Sequence, residues 1–305
     1  MRSVSFRLPV LSIVFVIAVL FTGCGGQKAK NHTPDRSKKT ATHKSSVPSD
    51  DQPVSLIVPE GRTLKTRIQP PKGYHRVPAK KESLSAFLRG YKLKKADSPL
   101  LLYDRSPKPN QNSHAAIFRL PIENHDLQQC ADSVMRVYAE YYWHRKEYDR
   151  IKFHFTNGFL AEYSKWRQGY RIHVNGNRVA WVRSKGPDTS YSAFQKYLLT
   201  VFTYAGTASM DTEAKPIDAG KIRVGDVFLK GGSPGHVVMV VDLCKNEKGQ
   251  KAFLLAQGYM PAQEFHILKN PAHVDDPWYY VDEISYPFAT ACYTFEEGCL
   301  KRLSY

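Results

Sequence analysis

Three side chains carry the chemistry this sequence could perform: a thiol at Cys130, an imidazole at His236 and an amide at Gln257. His236 closes the Gly-rich loop Lys230-Gly231-Gly232-Ser233-Pro234-Gly235 and opens the apolar run Val237-Val238-Met239-Val240-Val241. A histidine on the first position of a buried strand is held by backbone, which is how a general base is presented; the alternative is a polar cap at a strand end. Cys130 falls one turn inside a helix whose expected cap is Asp126, so the positive end of the dipole would favour its thiolate. It also belongs to that helix's apolar face, where a structural cysteine looks the same. Gln257 ends the strand Lys251–Gln257, and an even-length connection places it on His236's face, opposite or one diagonal step away. A bulge would undo that. Asp242 is suited by type but stands at the far end of His236's own strand. Nucleophile, base and orienting amide are the parts of a cysteine hydrolase. Ser192 with His236 is a serine alternative in which nothing visible activates the hydroxyl.

Further candidates surround these. Trp166, Arg167 and Arg171 could form an aromatic and cationic wall that stacks a sugar ring or clamps a carboxylate, although an aromatic beside a hairpin also reads as core. His114 opens another strand and is a second-rank substrate-binding candidate. No pair of cysteines has zinc-site spacing and the histidines are scattered, so neither a metal nor another cofactor is expected. Gly231-Gly232 is not a phosphate loop, because a strand rather than a helix follows it.

The elements that must position these residues are read from periodicity. Leu127, Cys130, Ala131, Val134, Val137, Tyr138 and Tyr141 make one face of a helix starting at Asp126. Ser190 or Ser192 caps a second helix ending at Gly206, and Ser83 a shorter one ending at Gly90. Strands are expected at 100–103, 115–120, 151–155, 225–229, 236–242, 251–257 and 263–267, with closing strands in 278–295. Asn175-Gly176 is the expected turn of a hairpin pairing Ile172 with Val179 and Tyr170 with Trp181. Irregular mixing of strands and helices predicts an α+β fold, mainly antiparallel.

Arg2 and Arg7 precede the short apolar run Leu8–Phe21, and Thr22-Gly23 lead to Cys24. This reads as a secretory signal, and its end resembles a bacterial lipoprotein cleavage site, where the cysteine is lipidated. Residues 1–24 are the expected leader, 25–54 a disordered tether rich in Lys, Ser, Thr and Pro, and 55–305 a single α+β domain. The expected location is the bacterial cell envelope, outside the cytoplasm, held on a lipid bilayer by acylated Cys24. The formal net charge of +16 favours polyanionic surroundings, and export makes nucleic acid the wrong partner. Cys130, Cys244, Cys292 and Cys299 allow three pairings, among which Cys292–Cys299 would close a short terminal loop.

Two resemblances add to this reading. Gly225-Asp226-Val227-Phe228, the loop ending at His236 and the polar Gln257 resemble the later part of papain-like cell-wall hydrolases of the NlpC/P60 kind. That likeness implies a papain-like core and amide hydrolysis on cell-wall peptides, with peptidoglycan as partner. Here the helix in register, Ser190 to Gly206, carries no cysteine, so the nucleophile would have to come from the Cys130 helix. Nearly the whole domain also resembles a family of bacterial lipoproteins grouped as domain of unknown function 4846. The stretches that carry this are Asp126-Leu127-Gln128-Gln129-Cys130-Ala131-Asp132, Phe155-Thr156-Asn157-Gly158-Phe159, Trp166-Arg167-Gln168-Gly169-Tyr170-Arg171, Phe202-Thr203-Tyr204-Ala205-Gly206, Gly231-Gly232-Ser233-Pro234-Gly235-His236 and Gln257-Gly258-Tyr259-Met260-Pro261-Ala262-Gln263. The two functional expectations are therefore a cysteine amidase or peptidase and an inactive glycan- or peptide-binding lipoprotein.

Overall fold

A computed structural model describes residues 55–305. The expected leader, the expected lipidation site at Cys24 and the whole of the expected tether lie outside the described residues. Among those described, no helix is long and apolar enough to cross a membrane.

The centre is a nine-stranded sheet in which every pairing is antiparallel. Its path runs His114–Ile117, His266–Leu268, Lys251–Gln257, His236–Asn246, Val227–Lys230, Leu300–Leu303 and Ala214–Pro216. Tyr74–Arg76 and Tyr279–Tyr280 pair alongside it. The fold is thus mixed α and β with antiparallel sheets. His236–Asn246 is buried from His236 through Cys244, because both faces of the sheet are covered. Val237, Met239 and Val241 pack on the side of the helices Cys130–His144 and Tyr191–Tyr204. Val238 and Val240 pack with Phe228, Phe253 and Leu255 on the other side, closed by Phe288 and Phe295. An uninterrupted apolar strand is what a doubly covered position requires.

Several local expectations change. The long helix begins at Cys130 rather than at Asp126. Asp126 instead accepts from the Ala262 N–H (2.6 Å) and Gln129 Nε2 (3.1 Å), tying the preceding turn to the 258–265 loop. The hairpin turns one residue later than expected: Asn175 pairs with Arg178, so Ile172 faces Trp181 and Tyr170 faces Arg183. Gly176, at φ 56°, takes the left-handed position that such a turn demands. Residues 100–103 form isolated bridges, not a strand. Cys130, Cys244, Cys292 and Cys299 are all free thiols, so no Cys292–Cys299 bridge closes the terminal loop.

Candidate active site

Cys130 is the first residue of its helix, a stronger placement than one turn in. The amide groups there lack intrahelical partners and point outward. A cavity of about 700 Å³ opens at this helix end and is lined by Cys130, Asp132, Gly232–Gly235, His236, Tyr259 and Tyr293. Two glycines make the close packing around it possible. A Cβ at Gly258 would meet Ser133 Oγ at 2.2 Å, so the chain beyond Gln257 lies directly against the helix start. A Cβ at Gly235 would meet Thr207 Oγ1 at 2.3 Å, and that hydroxyl donates to Gly232 O at 2.9 Å, pinning the loop before His236.

The His236 ring is nearly enclosed, with Tyr259 edge-on and Tyr293 tilted, each with its ring centre 4.8 Å away. Its Nε2 lies 2.7 Å from Gln257 Oε1. Gln257 reaches this position through two cancelling irregularities. Lys245 pairs with Lys251 across an odd five-residue connection, and a bulge before Leu255 then shifts the register by one. The expectation that a bulge would spoil the alignment is reversed, because here the bulge restores it.

Behind Gln257 stands His266, fully buried and directly opposite it in the ladder. His266 Nδ1 lies 2.9 Å from Glu264 O, and a carbonyl only accepts, so Nδ1 carries the proton. Its bare Nε2 then accepts from Gln257 Nε2 at 3.4 Å. The amide is thereby turned so that Oε1 accepts from His236 Nε2–H, which leaves the lone pair on His236 Nδ1. That atom has no protein partner among the described residues and is not sealed from solvent. One backbone carbonyl thus sets the tautomer of the ring at the cavity. The sequence signal for His266 was the even, eight-residue connection between it and Gln257, legible only once the two strands are known to pair.

Electrostatically the resting Cys130–His236 pair is uncharged. Burial, with Asp132 adding to it, pushes the Cys130 thiol up to about 11. The N–H groups of Ala131, Val237 and Cys130 act the other way without overcoming it, and Val237 is His236's immediate neighbour in sequence. Burial lowers His236 to about 4, against the smaller upward effect of Gln257. Asp132 is held well above the usual carboxylate range by burial; its Oδ2 accepts the Gln129 N–H at 3.0 Å while Oδ1 is buried without a partner. No hydrogen bond joins Cys130 to His236 among the described residues.

The other candidates sit elsewhere. Trp166 is buried core, and Arg171 stacks on it at 4.3 Å while donating to Trp166 O and Tyr170 O. Arg167 lies over the Tyr148 ring at 3.8 Å. The wall is therefore occupied by its own members and does not line the cavity. His114 packs edge-on to His266, 6.2 Å between ring centres, and burial lowers it to about 4. Ser192 is exposed, and its helix meets the cavity through Phe202 and Ala205 at the opposite end. Asp242 is consumed by Arg76 and Arg89. Among the described residues, no group of three or more His, Cys, Asp or Glu is placed to hold a metal ion.

With this geometry in hand, comparison with known proteins gives one match. The chain belongs to the family described as Domain of unknown function (4846), whose model matches residues 64–302. No curated protein and no solved structure matches the chain significantly.

Proposed function

We propose that the protein is a cysteine-dependent hydrolase or transferase acting on amide bonds, built on a papain-like core of the NlpC/P60 kind and working as a lipid-anchored envelope protein on cell-wall peptides. The observation that carries the chemistry is that the thiol at a helix start and an imidazole with its free nitrogen set by Gln257 line one open cavity. His236 Nδ1 takes the thiol proton as sulfur attacks the carbonyl carbon. The separated charges attract each other inside a low-dielectric site, which opposes the cost of burying each. The Cys130 and Ala131 N–H groups face the oxygen that gains charge. The C–N bond then breaks, the imidazolium gives its proton to the leaving amine, and water or another amine cleaves the thioester. Envelope placement and the peptide substrate rest on the leader and the resemblance described above.

The test is a thiol-directed electrophile carrying a peptide. Wild type is labelled at Cys130, Cys130→Ala is not, and His236→Ala is labelled ~10²–10⁴-fold more slowly, the usual worth of a general base. A small neutral alkylating agent, which does not engage the base, labels faster with rising pH up to about 11, where the thiol ionises. Peptide-probe labelling that is indifferent to His236 would overturn the enzyme reading. A second reading, a passive peptide- or glycan-binding lipoprotein, is favoured by the uncharged resting pair. It expects peptide binding with no His236-dependent labelling.

A further inference from the structure

Apart from the thiol cavity, a second cleft of about 590 Å³ is lined chiefly by cations. Its floor is made of three short backbone segments. The Leu93 N–H donates to Arg62 O at 2.8 Å and the Arg119 N–H to Lys92 O at 2.9 Å, with Thr63 bridged to Lys92 and Leu93 to Phe118. Leu64, Leu93 and Phe118 turn into the core, so alternation sends Lys92 and Arg119 outward, where both are exposed, as are Arg62 and Lys95. Like charges on neighbouring segments of a ladder destabilise it unless an anion lies between them. Lys94 has such a partner, Glu264 at 2.9 Å. Among the described residues Arg62, Lys92, Lys95 and Arg119 make no salt bridge.

The basic lining does not stop there. A second cavity of about 250 Å³ shares Lys94 and Arg119 with the first and continues to Arg105. Arg105 is exposed at φ 72°, a conformation that L side chains rarely adopt, in a turn where Asp104 Oδ1 accepts the Ser106 N–H at 2.9 Å.

We propose that this elongated groove binds a flexible linear polymer of repeating phosphates that carries no bases. A concave groove keeps its floor away from a flat bilayer, whereas a thin chain can enter it. No aromatic side chain lines either cavity, so there is no platform on which bases would stack. Cations spaced along a groove, with no buried polar clamp, suit a repeating charge better than a single phosphate. The proposal is independent of Cys130.

The test measures binding of long-chain inorganic polyphosphate to the full chain across a salt series. Five free cations, Arg62, Lys92, Lys95, Arg105 and Arg119, predict a log–log salt slope of about −3.5, at about 0.7 per neutralised phosphate for a flexible strand. Lys92→Glu with Arg119→Glu should weaken binding at least tenfold and bring the slope closer to zero by about 1.4. Lys95→Glu, on an exposed loop, should act in the same direction with half that slope change. The lysines of the N-terminal stretch remain in every variant, so a loss maps to the groove, and unchanged alkylation of Cys130 reports an intact fold. Wild-type affinity in the double variant overturns the proposal. So does equally tight, groove-dependent binding of oligo-dT, or groove-dependent binding of phosphatidylglycerol vesicles without binding of polyphosphate.

Discussion

The strand His236–Asn246 carries one buried polar residue at its start, His236, and another just past its middle, Asp242, and the two are treated in opposite ways. Asp242 is sealed: one carboxylate oxygen takes Arg76 at 2.6 Å, the other takes Arg89 at 2.7 Å and the Leu243 N–H at 2.9 Å. Arg89 in turn donates to Val77 O and Leu243 O. His236 is also nearly buried, but only Nε2 is satisfied, and Nδ1 is left to the cavity. A polar group that serves only to hold elements together has no vacant position, since a vacancy in a dry interior costs stability. A group that is to exchange a proton must keep one. The same backbone element thus supports a closed electrostatic clasp past its middle and an open valence at its start.

The contrast can be broken at its strongest point. Asp242→Ala leaves the buried Arg89 and half-buried Arg76 guanidinium groups without their counter-charge, at a cost of about 3–5 kcal/mol. Urea denaturation should show that loss, whereas His236→Ala should cost far less stability while slowing peptide-probe labelling. Equal destabilisation by the two would erase the distinction.

A middle-sized effect sharpens the open end. His266→Leu removes the acceptor that turns Gln257, so His236 should populate both neutral tautomers, visible in its ¹⁵N shifts. Labelling of Cys130 by the peptide probe should fall on the order of tenfold, the worth of one hydrogen bond of about 1–1.5 kcal/mol. His266→Gln, which restores an acceptor, should recover much of it. Tautomer ratios that do not move would refute the relay even if Cys130 proves reactive.

The smallest and broadest effect is on acid stability. Burial lowers His114 and His236 to about 4 and His266 to about 3, the last helped by nearby positive charge and opposed by Glu264 O. Unfolded histidines take up protons near pH 6.5. The unfolded state therefore binds more protons between these values, and stability should be full above about pH 6.5 and decline as pH falls toward 4. Asp132 acts oppositely: its raised value means the folded state holds the extra proton, so stability declines as pH rises above about 4. Asp132→Asn should thus gain stability at pH 7 and lose that advantage below about pH 4, measured by urea midpoints across pH.

Much of this architecture is legible from local pattern. The long apolar run after His236, the helical face containing Val134, Val137 and Tyr138, and the cap at Ser190 are consequences of spacing, and each element appears. What misled was chemistry whose partner is distant in sequence. Asp126 has the right type for a cap, but its acceptor is claimed by Ala262. Trp166, Arg167 and Arg171 looked like an exposed wall, yet tertiary packing folds them onto one another and onto Tyr148. Cys292 and Cys299 are near in sequence without being bridged.

By itself, the sequence determined the longest strands and helices and that His236 would open a buried strand, because hydrophobic period and turn residues act over a few positions; short elements such as Tyr74–Arg76 and Leu300–Leu303 left no such mark. It also held the thiol, imidazole and amide as separate candidates. Only the tertiary structure decided that the Cys130 helix, and not the one from Ser190, turns its start toward His236. It alone cancelled an odd connection with a bulge to bring Gln257 to the ring, and set His266 behind it. Such outcomes depend on register and packing between segments, 9 and 21 residues apart around Gln257 and over a hundred apart for the Cys130 helix, where a one-residue slip turns a side chain to the opposite face.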